Sequence, residues 1–201
     1  MSKKILILGA AGQIARFAID LFLNTSDAQL TLYLRRAGRL KHLASERVRI
    51  VEGDVLDKQS LQAAVAGHDV VYANLDGQLE QQAKNIVTAM TEAGVKRLIF
   101  VSSMGIYDEI PGERHGSVLE PYCRSAALVE ASGLNYTIIR PAWLNNKDEI
   151  DYETTQKGEP FKNPGAVVSR KSVADLIVRT ALSADLNVRA SLGVNKPMTG
   201  R

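Results

Sequence analysis

Cysteine is nearly absent. Cys123 is alone in 201 residues, so the chain closes no internal disulfide and builds no zinc-finger type of metal site. The three histidines, His42, His68 and His115, share no ligand spacing, and no metal is expected. Aromatic residues make up only 5%, too few for an evident base-stacking surface. Basic residues occur in short groups (Arg35-Arg36, Lys96-Arg97, Arg170-Lys171) and the formal net charge is only +3. That balance suits a small anionic ligand and gives no footprint for nucleic acid. No apolar run approaches the ~18 residues of a membrane span. Lys3-Lys4 followed by Ile5-Leu6-Ile7-Leu8 imitates the opening of a signal peptide. Gly9 then interrupts the run well before the ~7–15 apolar residues that such a leader needs. A cytoplasmic protein with no leader is expected. Repeats and low-complexity linkers are also missing, and no apolar stripe exceeds what a sheet would bury.

What is present is an alternation. Continuous apolar runs suggest strands at 3–8, 30–34, 48–52, 69–74, 97–102 and 135–140, with a short last one at 189–194. Between them, apolar residues recur at helical spacing. Examples are Ile14, Phe17, Ala18, Leu21 and Phe22, and later Leu79, Ala83, Ile86, Val87 and Met90. Asp57 has the position of an N-cap, Gly94 and Gly133 those of helix ends, and Ser169 or Ser172 that of a cap for a last helix. Strands alternating with helices imply an α/β fold, a single domain over residues 1–201 with a doubly wound parallel sheet. Two segments break the rhythm, 103–118 and 143–166, the second with a hairpin expected around Lys157-Gly158. They follow the fifth and sixth strands. In such sheets ligands bind beyond the strands' carboxyl ends, so both segments are expected to wall a substrate pocket.

Gly9-Ala10-Ala11-Gly12-Gln13-Ile14-Ala15 joins the first strand to the first helix. The first glycine permits a tight turn and the second lets backbone approach a diphosphate. The small third residue lets helix and strand pack closely. N–H groups at the helix start then face the phosphates, with Gly9, Ala11, Gly12, Gln13 and Ile14 as the expected contacts. The second strand ends Tyr33-Leu34-Arg35-Arg36, with no acid before the next turn. An acid there would bond the ribose 2′-hydroxyl of NAD, whereas arginine accommodates the 2′-phosphate of NADP. Arg35 and Arg36 therefore favour NADP(H) over NAD(H).

The glycine spacing, together with Val101-Ser102-Ser103-Met104-Gly105-Ile106-Tyr107 and the run from Ser132 to Pro141, resembles the atypical short-chain dehydrogenase/reductase superfamily. The nearest likeness is to its NAD(P)H-binding branch, which includes NmrA-like proteins and biliverdin/flavin reductases. It covers roughly residues 3–185. The resemblance implies a Rossmann fold with Asp54 and Val55 at the adenine; Asp54 reads equally well as a turn cap. It further implies cofactor contacts from Asn74 and Leu75, Ser102, and the corner Pro141-Ala142-Trp143, where Trp143 is either an acceptor-site wall or packing. The family often carries a smaller residue than Asn74 or Leu75 at that strand end.

The superfamily's proton donor is a Ser with Tyr-x-x-x-Lys on a helix. Ser103 and Tyr122 match two of those places, but Ala126 stands where the lysine belongs. Tyr107 is a second candidate donor, and either tyrosine also reads as packing. His115 reads as an exposed loop residue and Cys123 as a small buried one without a nucleophile's partner. A conjugated acceptor takes its proton from water and needs less of an acid dyad. The expectation is an NADP(H)-dependent oxidoreductase passing hydride to a small acceptor such as a flavin or quinone. The alternative is a non-catalytic, NADP(H)-binding redox sensor of NmrA type. A nucleotide-sugar epimerase is disfavoured, because only about sixty residues follow the sixth strand. A small-molecule substrate is the one partner implied.

Overall fold

In the computed structural model, which describes residues 2–198, the apolar runs assemble into one mostly parallel sheet. Its strands are β1 (Lys4–Leu8), β2 (Gln29–Leu34), β3 (Val48–Glu52), β4 (Val70–Ala73), β5 (Arg97–Val101) and β6 (Asn135–Pro141). Two short strands, β7 (Trp143–Asn145) and β9 (Val167–Ser169), pair in parallel by themselves. The main sheet is completed by β8 (Glu153–Gln156) and β10 (Ala190–Asn195), in the order β3-β2-β1-β4-β5-β6-β10-β8. Only β8 runs antiparallel, along β10 at the edge. The expected α/β doubly wound sheet is what the chain forms. Met1 and residues 199–201, the ends of the expected domain, lie outside the described residues.

Side chains alternate across a strand, so each inner strand feeds two cores. Ile5 and Ile7 of β1 pack toward α1 (Gln13–Thr25) and α5 (Arg170–Leu182). Leu6 and Leu8 pack toward α2 (Lys58–Val65), α3 (Leu79–Glu92) and α4 (Glu120–Ala131). Both sets are fully buried, which explains why β1 reads as an unbroken apolar run. Local signals set the helix limits. Asp57 Oδ1 accepts the N–H groups of Gln59 and Ser60, and Ser169 Oγ that of Ser172. Gly94, at φ +71°, ends α3 while Val95 N–H bonds back to Met90 O.

The region 143–166 is more regular than expected, since it contains β7 and β8. The expected hairpin at Lys157-Gly158 is corrected. The chain does turn there, with Glu159 N–H on Gln156 O, but β8 pairs with the distant β10. Single-residue patterning at a strand cannot choose its neighbour; the open edge of β10 does.

Arg140 of β6 is completely buried and is the largest fully buried side chain of the described residues. Its guanidinium meets the buried Glu109 carboxylate through Nη1. Nε donates to Ser191 Oγ at 3.1 Å, and Nη2 donates to Thr155 O at 3.3 Å and Ser191 O at 3.2 Å. Glu109 also accepts the N–H groups of Gly105 (3.0 Å) and Tyr107 (2.8 Å). One ion pair thus ties the segment after β5 to β6, β8 and β10. Removing one partner strands a charge in a dry site, so Glu109→Ala is expected to lose about 3–5 kcal/mol of stability in urea denaturation. A loss under about 1 kcal/mol would show that the pair does not anchor this segment.

Candidate functional site

The site begins where β1 runs out. Gly9 N–H donates to Tyr33 O at 3.0 Å, and Gly12 N–H closes the turn on Gly9 O at 2.9 Å. Gly9 has φ +75°, a backbone region open mainly to glycine, and a Cβ there would stand 2.2 Å from Asn74 O. At Gly12 a Cβ would stand 1.9 Å from Asn74 Nδ2. The turn is pressed against the end of β4, and only hydrogen fits between. Gly12 is the N-cap of α1 with no side-chain capping bond, and the first turn carries no acid. Its free N–H groups therefore present partial positive charge to an anion.

This turn forms one wall of a cavity of about 600 Å³. From the expected cofactor residues it gathers Gly9, Ala11, Gly12, Arg35, Arg36, Asp54, Val55, Asn74 and Leu75. It adds Tyr33, Leu34, Arg39, Gly53, Asp76 and Gln82, which sequence reasoning missed. Arg39 was the most readable of these. A 3-10 turn over Ala37–Leu43 follows β2, and Arg39 N–H bonds Arg36 O, so residues three apart stack on one side. Arg35, Arg36 and Arg39 are exposed and form no ion pair among the described residues. Asp54 spends Oδ1 on the N–H of Leu56 at 3.0 Å, so it does cap a turn while lining the cavity. Tyr33 braces that turn, donating to Asp54 O at 3.0 Å. Gln82 is buried; its Nε2 donates to Asp76 O at 3.2 Å.

The remaining expected residues lie outside this cavity. Gln13 begins α1, and Ile14 is buried beneath it in the core. Ser102, Ser103 and Pro141-Ala142-Trp143 follow β5 and β6, the next strands beyond β4, at the same carboxyl edge of the sheet. Ser102 is buried and its Oγ finds no partner among the described residues. Ser103 Oγ donates to Met104 O at 3.1 Å. Pro141 O accepts Met104 N–H, and Ala142 N–H bonds Val194 O, so this corner is held rigidly. Trp143 is 65% exposed beside its cross-strand neighbour Val167. It is therefore a surface ring and not core packing.

The two tyrosines separate. The hydroxyl of Tyr122, in the first turn of α4, makes no hydrogen bond among the described residues; burial and the Asp76 carboxylate push its pKa up, so it stays protonated at neutral pH. Ala126, one turn on, is buried and supplies no charge. Tyr107 is bonded within the protein. Its hydroxyl is committed to Glu130 Oε1 at 2.8 Å and Ser191 Oγ at 3.2 Å, and burial raises its pKa strongly. Its ring lies under Lys157 Nζ and Arg140, in a separate cleft with Glu109 and Lys157. His115 ties down its loop through Asp108 at 2.8 Å. Cys123 is partly buried and burial pushes its thiol up, away from thiolate chemistry. Among the described residues no group of three or more acidic, histidine or cysteine side chains is placed to hold a metal. No helix of the described residues is long and apolar enough to cross a membrane.

Residues 9–184 match the model of a family described as NAD(P)H-binding. A Rossmann-fold NAD(P)-binding family protein from Shigella flexneri is 42% identical, with a TM-score of 0.88 over 100% of this chain and 97% of that one. A short-chain dehydrogenase/reductase from Veillonella parvula, solved in complex with NADP, is 32% identical, with a TM-score of 0.89 over 100% and 98%. Quinone oxidoreductase 2 of Escherichia coli is 24% identical over 145 residues, 70% of this chain and 49% of that protein. This chain thus aligns with about half the length of that oxidoreductase.

The turn makes a graded test. Gly9→Ala meets backbone at a positive φ and is expected to cost about 1–3 kcal/mol in thermal denaturation. Gly12→Ala, at a negative φ, meets first the free end of the Asn74 side chain, with Gly9 O 3.2 Å off, and is expected to cost clearly less. Equal losses at the two positions would mean that the Asn74 carbonyl does not set the turn.

Proposed function

Because the chain belongs to the NAD(P)H-binding family, among oxidoreductases of the atypical short-chain dehydrogenase/reductase group, we propose that it is an NADP(H)-dependent reductase of a small conjugated acceptor such as a flavin or quinone. The observation that carries this reading is the single cavity that joins a glycine turn at a helix start to three exposed arginines. The turn offers neutral N–H donors for a diphosphate. Arg35, Arg36 and Arg39 offer paired, permanently charged donors for a 2′-phosphate, and no acid ends β2 to favour a bare ribose. Asp54 and Val55 flank the adenine end, one as acceptor and one as apolar floor. The missing Cβ atoms at Gly9 and Gly12 let the turn lie against Asn74 at the end of β4, so that the start of α1 and the cavity share one edge.

When bound, the reduced nicotinamide supplies the hydride. The chain's own task is to orient it and to present the acceptor. Ser102 and the Pro141-Ala142 corner form the backbone at the ends of β5 and β6. Trp143, at the start of the 143–166 segment, offers an exposed indole on which a flat ring system stacks. Ser103 and the protonated hydroxyl of Tyr122 are the polar groups of this edge. No lysine stands one turn after Tyr122 to lower its pKa, and burial, with the Asp76 carboxylate, raises it. A ketone's developing alkoxide would be poorly served, whereas a reduced flavin or hydroquinone draws protons from solvent.

NADPH is expected to raise the melting temperature more than NADH does. Replacing Arg35, Arg36 and Arg39 together by alanine is expected to weaken NADPH binding at least about ten-fold while sparing NADH. Loss of NADPH absorbance with flavins and quinones, faster than with simple ketones, tests the acceptor class. Trp143→Ala should then raise the acceptor KM and leave the NADPH Kd unchanged. NADPH that binds but is consumed with no acceptor would favour the redox-sensor reading, which the Ala126 and Asp76 environment of Tyr122 also suits.

A further inference from the structure

Charge is spread unevenly along the front cavity. Its basic lining residues, Arg35, Arg36 and Arg39, all follow β2, and its two acids are Asp54 after β3 and Asp76 after β4. In the strand order β3-β2-β1-β4-β5, Asp54 falls on the arginine side of the glycine turn and Asp76 on the other side. Asp76 is exposed and forms no ion pair among the described residues. Its place is nevertheless fixed. Buried Gln82 donates Nε2 to its carbonyl at 3.2 Å, and its own Oδ1 accepts the Gly77 N–H at 2.7 Å. No residue of β5 or β6 lines this cavity, so Asp76 is its last charge on the side that faces them. The same carboxylate is felt by the Tyr122 hydroxyl, whose pKa burial and then Asp76 raise. Asp76 therefore stands between the cavity and the acceptor edge.

We infer that the Asp76 carboxylate biases the bound cofactor toward its oxidised form, and so makes the reduced form a stronger hydride donor. The inference rests on the NADP(H) reading of the cavity and adds a residue that tunes the couple. A dinucleotide with its 2′-phosphate on the arginines and its diphosphate at the turn carries its nicotinamide past the end of β4, toward Ser102 and Ser103. The reduced ring is neutral. Hydride transfer breaks its C4–H bond, gives the hydrogen with both bonding electrons to the acceptor, and leaves one positive charge on the ring. A nearby carboxylate attracts that cation and acts little on the neutral ring. Repulsion between Asp76 and the diphosphate is common to both forms and cancels in their ratio.

The experiment is isothermal titration of the wild type and Asp76→Asn with NADP+, NADPH and 2′-phospho-ADP-ribose, which has the diphosphate and the 2′-phosphate but no nicotinamide. Asparagine keeps an Oδ1 acceptor for Gly77, and melting of the free proteins checks that the variant is folded. Asp76→Asn is expected to raise the ratio of the NADP+ Kd to the NADPH Kd about three- to ten-fold, while 2′-phospho-ADP-ribose changes in step with NADPH. In the wild type, going from about 0.05 M to about 0.5 M salt should move the ratio in the same direction, because an exposed carboxylate is screened. A ratio that stays within about two-fold in both the variant and the salt series would overturn the assignment and leave the cofactor reading standing. An equal change for all three ligands would overturn it too, because Asp76 would then act on the diphosphate and not on the ring. A wild type that binds none of the three would remove the cofactor reading itself, and the Asp76 assignment with it.

Discussion

The backbone contact between Gly9 and the carbonyl of Asn74 sets the geometry on which the front of the molecule depends. At 2.2 Å from the place of a Cβ, the carbonyl leaves room for hydrogen and nothing larger. That spacing lets the β1–α1 turn lie across the end of β4, the neighbouring strand in the sheet. The first turn of α1 then opens into the cavity with its N–H groups free, and the arginines after β2 close the far side. The cavity owes its length and its gradient of charge to this one approach.

The opposite half of the carboxyl edge depends on a different interaction. Arg140 and Glu109 bury opposite charges beneath the segment that follows β5 and hold it against β6, β8 and β10. A buried ion pair adds little net stability over an apolar substitute, but it tolerates few alternative arrangements. Here it positions the chain from Gly105 to Tyr107, whose N–H groups Glu109 accepts. Tyr107, which the motif offers as a proton donor, belongs to this support. Its hydroxyl bridges Glu130 and Ser191, and its ring lies beside Arg140 and Lys157.

Most of the residues that line the cavity were legible because each lies within four residues of a strand end, and strand ends are visible as breaks in apolar runs. Gly9, Gly12, Arg35, Arg36, Asp54 and Asn74 all share that property. Arg39 and Gln82 do not; they reach the cavity from a 3-10 turn and from the second turn of α3. The pairing of β8 with β10 and the ion pair between residues 31 apart were illegible for the same reason. Both are choices of partner, and periodicity records only which face a residue shows.

By itself, the sequence determined the alternation of strands and helices, the glycine turn, the caps at Asp57 and Ser169, and the basic end of β2. These follow from local sterics, from a period of two or of 3.6, and from side chains that satisfy nearby backbone groups. The tertiary structure alone decided that Asn74 would meet Gly12, that Gln82 would reach the cavity from α3, and that Tyr107 would be bonded to Glu130 and Ser191. Those outcomes depend on which distant backbones come within van der Waals reach, and that is a property of the packed sheet.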